Sequence, residues 1–351
     1  MHKNIYREII DLLQKNQALV VQTVLHGSDG SVVQDMERKV SPLSAFSSEQ
    51  AGSPAGVSVL EKDTGLLIIE PVLPPERLII LGGGHIALPV CAIGSRCGFT
   101  VCVVDDRPEF ANPDRFPEAQ TVTCDDFSNA IRKLSITPFD YIVIVTRGHR
   151  SDADCLRAIL PDGLPAYLGM IGSKRRVKGL MEMLADEGFG QEKLNRICTP
   201  IGLKIGAVTT DEIAVSILAE VIAWRRLPEF RGTRYPYIPT DLEIPVMEYL
   251  AENEELQAIV TVIKTKGSTP RAAGAKMVVD RLGNITGSIG GGCAESSAIQ
   301  GALEVIGTGQ YEIVDIDLTG DIAEYDGMVC GGTMKILIED VPVSEVRNDM
   351  P

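Results

Sequence analysis

Arg77-Leu78-Ile79-Ile80-Leu81-Gly82-Gly83-Gly84-His85-Ile86-Ala87 opens the stretch that decides the fold. An apolar run enters a glycine turn, and a mixed apolar segment reaching Cys97 leaves it. After Gly98, Phe99-Thr100-Val101-Cys102-Val103-Val104 ends in the pair Asp105-Asp106. Strand, turn, helix, strand and an acid roughly 20 residues past the turn is the order of a dinucleotide-binding unit. Gly82 permits the tight turn, and Gly84 lets backbone amides approach a pyrophosphate. Ala87 fills the third small position, where helix packs on strand. The helix start adds partial positive charge and free N–H donors. Asp105 or Asp106 would accept from a ribose hydroxyl. The bland alternative keeps the turn for packing alone and binds no dinucleotide.

The chain downstream extends the same sheet. Residues 120–124 are a candidate third strand and 127–133 a helix. Asp140-Tyr141-Ile142-Val143-Ile144-Val145-Thr146 is apolar throughout, as buried parallel strands are. Its exit carries Arg147-Gly148-His149-Arg150-Ser151-Asp152. Residues 166–171 form the next strand, followed by Gly172-Ser173-Lys174-Arg175-Arg176 and a helix through 184. Ser173 and Lys174 could cradle an anion at the carboxyl edge of the sheet, or simply begin a solvated helix. His85 and His149 share that edge, where a histidine can do acid–base work. Residues 197–202 read as a last short strand. Thr210 or Asp211 is a natural N-cap for the apolar helix 213–224.

On either side lie smaller blocks. The predicted fold class is α/β: a Rossmann-like parallel-sheet domain over 76–226, flanked by a smaller α+β domain. Residues 1–73 hold a helix (5–15), a strand (18–25), a turn (26–31), a loop (41–55) and a strand (64–72). Residues 227–244 read as a proline-rich linker. Residues 245–342 hold a helix, strands near 256–264, 275–280, 285–289, 311–317 and 333–339, and a helix from 294 to about 306. The two outer blocks resemble each other. Helix, strand and Gly-Ser turn recur in order, and Thr64-Gly65-Leu66-Leu67-Ile68-Ile69-Glu70-Pro71-Val72 matches Thr333-Met334-Lys335-Ile336-Leu337-Ile338-Glu339-Asp340-Val341. The expectation is a duplicated unit whose N-terminal copy is degenerate, having lost the motifs that carry chemistry.

Bulk properties narrow the function. The 351 residues suggest two or three domains, and a 44% hydrophobic content is ample for real cores. A net charge of −15 argues against nucleic acid or anionic membrane as a partner. Among the eight cysteines no CxxC pair occurs, so neither a zinc ribbon nor a redox CxxC is expected. With no apolar leader core and no run of membrane-spanning length, a cytoplasmic location is expected, with thiols reduced.

The last block carries the most pointed chemistry. Gly290-Gly291-Gly292-Cys293 is a glycine bend before a helix, which makes a nest for an anion and puts Cys293 where the dipole favours thiolate. Cys330 precedes Gly331-Gly332 and has similarly bare backbone. Two such thiols would suit a soft metal or a sulfur in transfer, with Cys293 the candidate metal ligand. Arg271 ends the loop Gly267-Ser268-Thr269-Pro270 and is suited to a phosphate or a planar ring. The plain alternative makes both cysteines small packed residues and Arg271 an ordinary surface arginine.

Together these motifs resemble the XdhC/CoxI family of xanthine dehydrogenase accessory factors. The matching segments are 267–271 with Gly274-Ala275-Lys276-Met277, then 287–295 and 330–332. In the centre they are 82–86, 167–175, 200–206 and 211–220. The order departs from the usual one, because here the intact cysteine-bearing block follows the Rossmann domain. The Arg147-Gly148-His149 exit also differs from the family's form. The resemblance implies a chaperone for molybdenum cofactor, as molybdopterin or its dinucleotide form, and a homodimer is expected because Rossmann domains and their partners often pair. It implies sulfuration of that cofactor by a partner cysteine desulfurase and delivery to an apo molybdenum hydroxylase. In that setting Cys293 and Cys330 would sit near molybdenum or relay sulfur. Ser268, Arg271 and Gly290 to Gly292 would grip the pterin-phosphate end. Gly82, Gly84, His85, Asp105, Ser173 and Lys174 would bind a nucleotide, NAD(P) among the options. The chain is not expected to oxidise xanthine alone. The rivals are an NAD(P)-dependent oxidoreductase and a regulatory component that senses nucleotide.

Overall fold

The computed structural model describes residues 2–26, 35–43, 56–62, 65–227, 230, 240–253, 255–318 and 331–341. The chain divides into two compact units. One is Pro75–Tyr235, and the other joins Met1–Pro74 to Pro236–Pro351. The sequence suggests separate first and last blocks, whereas their contacts place both in one unit.

The central unit is a parallel sheet. Its strands are β5 (Arg77–Leu81), β6 (Thr100–Asp105), β7 (Thr121–Cys124), β8 (Tyr141–Ile144) and β9 (Tyr167–Met170). They lie in the order β7-β6-β5-β8-β9, so the chain reverses direction across the sheet between β5 and β8. Both faces are covered, which is why β8 and β9 are buried at every position, while the edge strand β7 is partly exposed. Leu78, Ile80, Tyr141 and Val143 pack under helices α2 (Ala87–Arg96) and α7 (Thr210–Arg226). Ile79, Leu81, Ile142 and Ile144 pack under α3 (Phe127–Leu134), α4 (His149–Ile159) and α5 (Lys174–Asp186). The short helix α6 (Gln191–Leu194) adds Leu194 to that second core.

Several expectations are corrected. Helix α4 is read in the sequence only as a strand exit. The N-cap of α7 is Thr209, one residue before the earliest candidate, and it forms a reciprocal capping box with Glu212. Residues 197–202 make no full strand. Cys198 forms a single parallel bridge with Gly169.

The other unit contains two antiparallel sheets. The first has β1 (Leu19–His26), β2 (Asp35–Pro42), β3 (Ser58–Lys62) and β4 (Gly65–Val72), ordered β2-β1-β4-β3, with α1 (His2–Gln14) beside it. The second has β10 (Gln257–Lys266), β11 (Lys276–Asp280), β12 (Ile285–Gly287), β13 (Tyr311–Asp317) and β14 (Thr333–Val341), ordered β12-β11-β10-β14-β13. It is preceded by α8 (Ile244–Glu252), and α9 (Gly292–Val305) lies between β12 and β13. Strands β2 and β3 go unread in the sequence. Residues 27–31, 44–55 and 231–239 of the expected turn, loop and linker lie outside the described residues.

The two sheets share a core order. β2-β1-β4-β3 corresponds strand for strand to β11-β10-β14-β13. Register agrees as well. Thr23 faces Arg38 and Val21 faces Glu70 in the first sheet, while Thr261 faces Lys276 and Ile259 faces Glu339 in the second. Helices α1 and α8 pack together over one joint core, with Ile9, Leu13, Val21, Leu250, Ile259 and Val341 in it. Into this core the sheets send four charges, and they pair crosswise. Arg38 binds Glu339 at 2.8 Å, and Lys276 binds Glu70 at 3.0 Å. Each acid is thus neutralised by a base from the other copy, with Tyr6 held in the same cluster.

Candidate functional site

In the central unit the glycine turn has the expected backbone. Gly82 has φ of 113°, and a Cβ there would meet the Val145 carbonyl oxygen at 2.5 Å. Only glycine fits a turn that runs this close to the neighbouring strand exit. Gly84 has open space around its Cα, His85 is exposed, and α2 starts without a side-chain cap. These three features suit approach of an anion.

Asp105 is differently placed from expectation. It is 1% exposed, and both its oxygens are engaged. Oδ2 accepts the Gly83 amide at 2.8 Å and a guanidinium N–H of Arg107 at 2.9 Å. Oδ1 accepts the backbone and Nε hydrogens of Arg107 at 3.0 and 2.8 Å. Burial pushes its carboxyl up, yet the hydrogen bonds from Arg107 and Gly83 outweigh burial and hold it below the usual range. Asp105 therefore braces the turn in this conformation and offers no open acceptor to a ribose. Asp106 is paired with Arg147 at 3.0 Å. Ser173 is the exposed N-cap of α5 and makes no side-chain capping bond. Lys174 supplies the first backbone turn, and its side chain lies outside the described residues.

In the other unit three motifs far apart in sequence come together. A Cβ on Gly267 would meet the Gly331 oxygen at 3.0 Å and Gly332 Cα at 3.1 Å, and one on Gly332 would meet the Ser268 oxygen at 2.5 Å. A Cβ on Gly290 would strike the Pro270 ring. The Ser268 loop, the triple-glycine bend and the Gly331-Gly332 pair thus form one cluster of bare backbone. It sits where β10 ends and β14 begins, since Lys266 is registered on Thr333. Gly290, Gly291 and Gly292 all have positive φ, at 127°, 79° and 60°. Cys293 lies in the first turn of α9, with its side chain outside the described residues. Cys330 lies wholly outside them.

Two further residues close much of this cluster, and the sequence reading missed both roles. Glu295 reaches back over the bend. Its Oε1 accepts the amides of Gly291, Ile289 and Gly290 at 2.9, 3.1 and 3.2 Å, and the Ser288 hydroxyl at 2.6 Å. The nest expected to hold a foreign anion holds the chain's own carboxylate. Asp241 takes Arg271 in a two-toothed pair at 2.7 and 3.1 Å, and Glu243 adds a bond at 2.9 Å. Arg271 is therefore engaged, and its guanidinium is not an open phosphate grip here. What stays open is backbone: a Cβ on Gly291 or on Gly331 would meet nothing within 4 Å.

Buried thiols of the central unit are poor nucleophiles. Burial pushes the Cys91 thiol up to about 11 and the Cys198 thiol up to about 12. Among the described residues no group of three or more His, Cys, Asp or Glu could hold a metal ion. Nor is any described helix long and apolar enough to cross a membrane.

Two family models match this chain, together over more than half of it. The XdhC Rossmann domain covers residues 78–221, and the XdhC and CoxI family covers 250–317. The chain belongs to the XdhC/CoxI family. Within that family its blocks are distributed as the fold shows, with the Rossmann match on the parallel sheet and the second match on β10 through β13. A probable xanthine dehydrogenase subunit from Bacillus subtilis is 29% identical over 194 residues, 55% of this chain and 52% of that protein. An uncharacterized protein, YqeB, from Escherichia coli is 32% identical over 147 residues, 42% of this chain and 27% of that protein. The chain thus spans about half or less of the length of these relatives. The crystal structure of a xanthine dehydrogenase from Bacillus halodurans superposes with a TM-score of 0.50 at 25% identity, covering 66% of this chain and 67% of that one.

Proposed function

We propose that this XdhC/CoxI chain is an accessory factor for a xanthine-dehydrogenase-type molybdenum hydroxylase. It carries molybdenum cofactor as cargo, supports its sulfuration with sulfur from a cysteine desulfurase, and hands it to the apo enzyme. One observation carries the reading. Three glycine motifs, separated by tens of residues, converge on a single cluster that includes the helix start bearing Cys293 and the strand start that follows Cys330.

The residues fit such a cargo in part. Bare backbone at Gly291 and Gly331 admits close approach of a flat group. The Glu295 carboxylate and the Arg271 ion pair occupy the positions a phosphate would otherwise take. In this proposal the cargo displaces Asp241 from Arg271, which then neutralises its phosphate, while Glu295 keeps the bend in shape. Cys293 and Cys330 relay sulfur.

The test is direct. The protein is isolated after co-expression with the cofactor pathway, and bound molybdenum is measured by elemental analysis. Wild-type protein retains molybdenum, and the Cys293→Ala, Cys330→Ala double variant retains several-fold less. Full retention by the double variant would remove the thiols from the account. The NAD(P) oxidoreductase reading is weaker, because Asp105 is already saturated by Gly83 and Arg107.

A further inference from the structure

A second place in the molecule is built for an anion, and it lies away from the glycine turn. Helices α4 and α5 both begin at the carboxyl edge of the parallel sheet, after β8 and β9. Between them runs an open groove of about 500 Å³. That volume is in the range of small-ligand sites. Its upper end carries His149, Arg150 and Arg176. Its wall carries the apolar Ala153, Leu180 and Met183 together with Gly179 and the carboxylate-paired Arg157.

Charge in the groove is unusual for so acidic a chain. Arg176 Nε donates to His149 Nε2 at 2.7 Å, which fixes that ring nitrogen as an acceptor. Among the described residues no carboxylate lies within ion-pair distance of Arg150 or Arg176. Neighbouring arginines differ. Arg157 is neutralised by Glu187 at 2.6 Å and Asp154 at 3.1 Å, and Arg147 by Asp106 at 3.0 Å. Asp152, 5% exposed, lines a smaller cavity with His149 and Arg176 at the floor. It is anchored by the Thr146 hydroxyl at 2.6 Å. Two guanidinium groups without a carboxylate partner among the described residues thus line one volume beside apolar side chains.

We infer that the α4–α5 groove binds a nucleoside diphosphate, with its phosphates on Arg150 and Arg176 and its planar base along Ala153, Leu180 and Met183. Two cations on one groove suit a diphosphate better than a single carboxylate. The site flanks β8 and β9, whereas a dinucleotide on the glycine turn would lie between β5 and β8. It goes beyond the molybdenum reading and does not depend on it.

Titration calorimetry of the full chain with ADP tests this, with adenosine and inorganic pyrophosphate as the two partial probes. ADP binds saturably, each partial probe at least tenfold more weakly, and ADP affinity falls as salt rises. The Arg150→Ala, Arg176→Ala double variant loses at least tenfold in ADP affinity. Both side chains are exposed, so the variant should fold, and its melting curve verifies that. Arg132→Ala, an exposed arginine on α3 bonded to Asn129, leaves ADP affinity unchanged. ADP binding that survives the double variant, or no binding at millimolar ADP, overturns the assignment.

Discussion

Glu295 and Gly291 are joined by a 2.9 Å hydrogen bond from amide to carboxylate, and that bond is one of four holding the triple-glycine bend. A backbone with three successive positive-φ residues is expensive to order, so the carboxylate that organises it matters to stability. Burial pushes Glu295 up, but the bonds from Ser288, Gly291, Ile289 and Gly290 prevail and its carboxyl is held low. A depressed folded value adds stability above the unfolded carboxylate range, and that stability is lost as pH falls through the folded value. Glu295→Ala should therefore cost about 1–3 kcal/mol at pH 7. The gap from wild type should narrow on acidification. Urea melts at pH 7 and at about pH 3 check both, and a gap that does not shrink contradicts the account.

Asp105 follows the same sign. Its hydrogen bonds with Arg107 and Gly83 depress its carboxyl in spite of burial, so its contribution is present at neutral pH and fades in acid. Asp105→Asn keeps the shape and removes the charge. It should lower stability at pH 7 by roughly 1–3 kcal/mol, leaving Arg107 only its longer 3.7 Å ion pair with Asp106. Arg107→Ala exposes Asp105 as an acceptor. If the turn binds a ribose at all, that variant binds NAD more tightly than wild type, as fluorescence titration would show.

Asp152 has the opposite sign. Burial is the largest influence and raises its carboxyl, beyond what Thr146, Arg176 and His149 offset. A raised folded value means that stability declines as pH climbs from the unfolded carboxylate range through the folded value. Asp152→Asn can still accept the Thr146 hydroxyl. It should melt higher than wild type at pH 7 and no higher near pH 3, below the unfolded carboxylate range, where the carboxyl is mostly protonated whether folded or unfolded. A variant that melts lower at pH 7 would show that the charge is structural.

Arg38 and Glu339 are 10% and 2% exposed, and their pair is enclosed by Tyr6 and Thr23. Removing one partner strands a buried charge, so Arg38→Ala should cost about 3–5 kcal/mol in urea unfolding. Replacing both, as Arg38→Met with Glu339→Leu, should recover most of that loss. A double variant as unstable as the single one would mean the charges themselves hold the sheets in register.

The parallel sheet is legible in the sequence because two-sided burial writes itself as unbroken apolar runs, as at Tyr141 to Val145. Helix α4 escapes such a reading because its first turn, His149-Arg150-Ser151-Asp152, is polar. Its inward stripe of Ala153, Leu156 and Ile159 is the available signal. Strand β2 is hidden for a different reason. Along Met36, Arg38 and Val40 its alternation carries a charge where an apolar residue is expected, and that charge is ion-paired with Glu339, 301 residues away. The site is legible as motifs and not as occupancy. Glycine spacing marks bare backbone, but nothing local tells that Glu295 turns back to fill it, or that Asp241 claims Arg271.

The crosswise pairing of Arg38 with Glu339 and Lys276 with Glu70 means that one polypeptide carries both sides of a seam. Dilution cannot part those sides, since the chain itself keeps each at high local concentration of the other. Divergence is then unequal by nature. The amino-terminal side supplies half of the seam, while the carboxyl-terminal side carries the glycine motifs in its loops.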